Sequence, residues 1–86
     1  MSARLLILDA GSGASNNFIR SLKIGDPSLA IIGCNASRFY LKKSAADRNY
    51  LLPESARTLQ AALRRIIKAE RIDLLIPTND ADVFAI

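Results

Sequence analysis

The chain has 86 residues, enough for one domain. Half of the residues are apolar and 23% are charged, a balance that excludes intrinsic disorder. A single cysteine, Cys34, and the lack of histidine exclude a disulfide framework, histidine catalysis and His-containing metal sites for these residues, and the net charge of +4 is spread along the chain rather than concentrated.

No apolar run approaches the ~20 residues needed to span a bilayer. The start, Met1-Ser2-Ala3-Arg4, lacks the long apolar region and cleavage site of a signal peptide. A cytoplasmic location without a membrane partner is therefore expected.

Residues 5–8, Leu-Leu-Ile-Leu, form a continuous apolar run. Continuous rather than alternating hydrophobicity fits a strand covered on both faces, as in a parallel sheet. Asp9 and the turn Ala10-Gly11-Ser12-Gly13-Ala14 follow. A helix is predicted over roughly residues 15–24, burying Phe18, Ile19 and Leu22 along one face. Gly25 is placed to end it in the left-handed conformation, before Asp26-Pro27.

Residues 29–34 are the second strand, followed by the polar turn Asn35-Ala36-Ser37-Arg38. Phe39-Tyr40-Leu41 reads as a short helical or loop segment against the sheet edge. Residues 50–52 read as a short third strand closed by Pro53. A helix from Glu54 or Ser55 to Ala69 carries the stripe Ala56, Leu59, Leu63, Ile66 and Ile67, which Arg57, Arg64, Lys68 and Glu70 mostly avoid. Ser55 is its expected cap. Residues 72–76 form the fourth strand, and Thr78-Asn79-Asp80 cap a helix starting at Ala81 that the end of the sequence cuts.

This alternation predicts an α/β fold: an open, doubly wound, mostly parallel sheet of about four strands. It is Rossmann-like, with strand order 3-2-1-4. Residues 1–86 then form one truncated domain, the N-terminal fragment of a longer protein.

In such sheets ligands bind outside the carboxyl ends of the strands, where the strand order reverses. Gly11 allows a tight turn, Gly13 lets backbone approach a ligand, and N–H groups at the following helix start attract an anion. The sixth position of this turn is Asn16 rather than the glycine of the dinucleotide fingerprint. A plain strand-to-helix turn accounts for the same glycines, and Asp9 beside it repels a phosphate unless paired or turned away. Asn35 ends the second strand where an NAD site carries an acid. Arg38, three positions on, keeps an NADP site open, although a surface arginine is the commoner outcome. Cys34 reads as a small buried hydrophobe. Thr78, Asn79 and Asp80 reach the same crevice, where helix capping also explains them. No complete catalytic constellation and no metal site is expected.

The basic residues Arg57, Arg64, Arg65, Lys68 and Arg71 lie on or beside one helix, and Lys42-Lys43 in a loop. No aromatic residue interleaves with that charge and no helix-turn-helix or zinc pattern is present, so nucleic acid is not an expected partner.

Four stretches together resemble the pre-ATP-grasp domain of ATP-grasp ligases, in the carbamoyl-phosphate-synthase-like and carboxylate–amine ligase branches. They are residues 6–13 with Asn17 and 20–22, residues 33–37, residues 46–53 and residues 72–80. Asp47-Arg48-x-Tyr50-x-x-Pro53 followed by Ile72-Asp73-x-x-Ile76-Pro77 is the most specific part. The resemblance implies an N-terminal substrate-side domain, inactive alone, packed against central and ATP-grasp domains of the same chain. It implies that the whole protein uses ATP and magnesium to join a small carboxylate to an amine, while this fragment binds no cofactor. Gly11, Ser12, Gly13 and Asn17 would line the substrate side, with Asn35 and Thr78, Asn79 and Asp80 nearby. A homo-oligomer is compatible with this reading. The alternatives from the residues are an NADP-binding oxidoreductase domain and a non-catalytic interaction module.

Overall fold

The computed structural model describes residues 3–53 and 55–77. In chain order these form β1 (Arg4–Ile7), α1 (Gly13–Gly25), β2 (Ala30–Asn35), α2 (Arg38–Leu41), β3 (Arg48–Leu51), α3 (Ala56–Glu70) and β4 (Leu74–Ile76). The strands make one four-stranded sheet in the order β3-β2-β1-β4. All of its pairings are parallel. The fold is thus the open Rossmann-like sheet flanked by helices that the alternation predicts. Ile7 lies opposite Gly33 on one side and Ile76 on the other, so β1 is central and its carboxyl end marks the reversal of strand order.

The two faces of the sheet bury alternate residues, as the pleat requires. Leu6, Leu8, Ile32 and Cys34 pack with Leu63 and Ile66 of α3. Leu5, Ile7 and Ile31 pack on the other face with Ile19 of α1. The continuous apolar sequence of the first strand is explained: both faces are covered. Each such leucine or isoleucine contributes about 1.5–3 kcal/mol by burial. Cys34 is buried, and its thiol donates to the Ile7 carbonyl at 3.6 Å.

Several local expectations are corrected. The first helix begins two residues earlier, at Gly13, because Ser12 is its cap: the Ser12 hydroxyl accepts from the Ser15 amide at 3.2 Å. Gly25 does not take the left-handed conformation. It stays in α1, and the helix ends through extended Asp26, whose amide donates to the Leu22 carbonyl at 2.9 Å. Phe18 is 39% exposed, and Ser15 and Asn16 are buried in its stead. The small Ser15 fits close to the sheet because its hydroxyl donates to the Asp9 carbonyl at 2.9 Å.

The third strand starts at Arg48, ahead of the apolar run. What places it is Asp47, whose carboxylate accepts from the Ile31 amide and from Lys23 Nζ, both at 2.8 Å or less. Burial opposes the charge on Asp47, but the hydrogen bonds from Lys23 and Ile31 outweigh it and hold the carboxyl below its ordinary range. Ser55 occupies the cap position of α3 without a side-chain cap bond. That helix runs one residue past Ala69 and closes with Arg71 in the left-handed conformation, φ 53°.

Glu70 reverses its expected exposure. Its side chain is 4% exposed and receives Arg4 Nη2 at 2.7 Å, Arg48 Nη1 at 3.0 Å and the Tyr50 hydroxyl. The Tyr50 hydroxyl, with Arg48 and Arg4 behind it, holds the Glu70 carboxyl below the usual range against the opposing effect of burial. No helix among the described residues is long and apolar enough to cross a membrane.

Candidate functional site

The carboxyl ends of β1 and β2 bring the glycine turn and Asn35 together. Asp9 and Gly11 both take positive φ, 56° and 97°, so the chain leaves β1 in a tight reversal before α1. Gly11 is required there on two grounds. A Cβ in its place would adopt a left-handed backbone and lie 1.8 Å from the Tyr40 carbonyl oxygen. The close approach that this glycine permits is therefore to the protein's own α2.

Gly13 differs. A Cβ there would meet nothing within 4 Å, and the residue is exposed at the first turn of α1. Helix starts leave N–H groups without intrahelical acceptors and carry partial positive charge. Ser12 caps that end while remaining partly accessible. Asn17 lies one turn further along α1, exposed.

Asn35 stitches the crevice rather than standing open to it. Its Nδ2 donates to the Ala10 carbonyl at 2.9 Å and approaches Asp9 Oδ1 at 3.4 Å, and its Oδ1 accepts from the Ser37 amide at 3.0 Å. The Asp9 carboxylate is thereby turned toward Asn35.

On the other side of β1, Ile76 and Pro77 at the end of β4 face Ala14 and Phe18 of α1 across a cleft of about 240 Å³. The cleft lies where the strand order reverses, the place that open α/β sheets use for ligands. The partial exposure of Phe18 has its reason here: the ring forms a wall of this cleft instead of filling the core. Thr78, Asn79 and Asp80 lie outside the described residues.

Asn16, which the sequence offers as a further donor at the turn, has instead a structural role. It is buried, its Nδ2 donating to the Lys43 carbonyl at 2.8 Å and its Oδ1 accepting from the Ala45 amide at 2.9 Å. This side chain stands where the dinucleotide fingerprint has its third glycine. It ties the first turn of α1 to the segment before β3. The departure from the motif was visible in the sequence, but its partners come from 27 and 29 residues away.

Among the described residues, no group of three or more His, Cys, Asp or Glu side chains is placed to hold a metal ion. No protein-family model matches the chain, and no curated protein matches it.

Proposed function

We propose that this domain forms the substrate-side wall of an ATP-dependent carboxylate–amine ligase of the ATP-grasp kind, with the nucleotide held elsewhere in the whole protein. The observation that carries the reading is the cleft at the strand-order reversal, with apolar walls from Phe18, Ile76 and Pro77 and the positive end of α1 beside it at Ser12 and Gly13. An anion set at that helix start would be favoured by the dipole and by backbone N–H donors. A carboxylate substrate fits that polarity, with its remaining atoms against Phe18. The ordered likeness of residues 6–13, 33–37, 46–53 and 72–80 to pre-ATP-grasp domains adds support.

Two features weigh against the NADP alternative. Both polar atoms of the Asn35 side chain are engaged by the protein's own backbone, and the space over Gly11 is filled by Tyr40.

The test is the protein encoded by the complete reading frame that contains this segment. It is expected to release ADP from ATP only when a carboxylate and an amine are both supplied. Release that ignores the carboxylate, or a reading frame without an ATP-grasp-sized region, contradicts the assignment.

A further inference from the structure

The turn of α2 carries a cluster that the crevice does not use. Phe39 is 65% exposed and Tyr40 42% exposed. Their rings stand edge to face, 5.7 Å between centroids at 76°. Lys43 Nζ lies 4.5 Å from the Phe39 centroid and 5.0 Å from that of Tyr40. Arg38 and Lys42 flank the rings, both exposed. No salt bridge is formed by Arg38, Lys42 or Lys43 among the described residues. Aromatic residues do interleave with cations, contrary to the reason for setting nucleic acid aside.

The cluster is held firmly. The Tyr40 carbonyl sits over Gly11 and accepts from the Lys43 amide at 3.0 Å. The Lys43 carbonyl accepts from buried Asn16 at 2.8 Å. The Ser37 carbonyl accepts from the Leu41 amide at 3.2 Å. The backbone that carries the two rings is thus tied to the glycine turn and to α1, while both rings keep exposed surface.

We propose that Phe39, Tyr40, Arg38, Lys42 and Lys43 form a binding platform for single-stranded nucleic acid. Base faces stack on exposed aromatic rings, and neighbouring cations follow the phosphates. A duplex is a poorer fit, because its bases are already stacked and α2, one turn of four residues, is too short to read a groove. An acidic peptide satisfies the cations but leaves the Phe39 ring, 65% exposed, without a stacking partner. This platform borders the glycine turn without being part of the ligase crevice, so it stands or falls separately from the ligase assignment.

Fluorescence anisotropy of a labelled oligouridine of about twelve nucleotides, a length within single-strand site sizes, tests it on the 86-residue chain. Saturable binding is expected, with log affinity falling against log salt at a slope of about −2 for three phosphate contacts. Phe39→Ala should weaken binding about tenfold, Phe39→Trp should retain it, and circular dichroism should show both folded, since the ring is mostly in solvent. Lys42→Gln should reduce the slope by about 0.7. No saturation by about 100 µM at low salt overturns the proposal. So does a Phe39→Ala variant that binds like the parent, or polyglutamate competing as well as unlabelled oligouridine.

Discussion

Gly11 and Gly13 sit two positions apart in one turn, and their sequence context gives no means of ranking them. The structure separates them by what surrounds each. Gly11 has φ 97° and a carbonyl oxygen where its Cβ would be, whereas Gly13 is helical and faces open space. Gly11→Ala is expected to destabilise the fold by at least ~2 kcal/mol, combining a left-handed strain with a backbone clash. Gly13→Ala is expected to leave stability unchanged or raise it by up to ~1 kcal/mol, through helix propensity. Urea unfolding of both variants decides. Equal effects would show that the turn does not have this conformation. That a glycine turn starts the first helix was legible from residues 9–14 alone. That α2 closes over it was not, because Tyr40 lies far along the chain and its contact is made by a backbone carbonyl, which no residue type announces.

At the scale of elements, the helices were legible wherever an apolar stripe met the sheet. Leu63 and Ile66 fall at helical spacing and are buried. The stripe also contained a warning. Glu70 lies four residues after Ile66 and three after Ile67, on the same face, so an acid there needs partners. Those partners come from β1 and β3, which is why a pattern read along one helix could not supply them. Arg48 and Tyr50 both reach Glu70, so their role here is to join β3 to the end of α3. Arg4 joins β1 to the same carboxylate.

Because the folded-state pKa of Glu70 is depressed, the unfolded chain binds more protons as the solution becomes acidic. The stabilisation is therefore complete above the ordinary carboxylate range and is lost as pH falls through the folded pKa. Asp47 acts in the same sense, with its own pKa depressed. Glu70→Gln should cost about 1.5–3 kcal/mol at neutral pH, from charge-assisted hydrogen bonds lost at a side chain only 4% exposed. It should also flatten the decline in stability between neutral and acid pH. Thermal melts across that range check both. A variant with the parent's acid sensitivity would place the titrating group elsewhere.

For the molecule as a whole, strand order and parallel pairing followed from short apolar runs, intervening helices and the doubly wound rule. Local chemistry was harder to foresee. Of the proposed substrate-side residues, Gly13 and Asn17 are exposed and Ser12 is partly accessible. Gly11 and Asn35 are committed to holding the crevice together. Residue type and position put these residues at the carboxyl end of the sheet, where the described ones lie, but whether a polar group faces solvent or binds its neighbour depends on packing between distant segments.

The central claim is that an anion-accepting crevice opens at the carboxyl end of the sheet, between the start of α1 and the end of β4. Amide chemical shifts of the ¹⁵N-labelled chain, followed during titration with small carboxylates and with their neutral amide counterparts, test it most directly. Saturable shifts for Gly13 and Ala14, accompanied by Phe18 and Ile76 and seen only with the carboxylates, are the predicted result. Shifts confined to α3, or an equal response to the neutral amides, would contradict it.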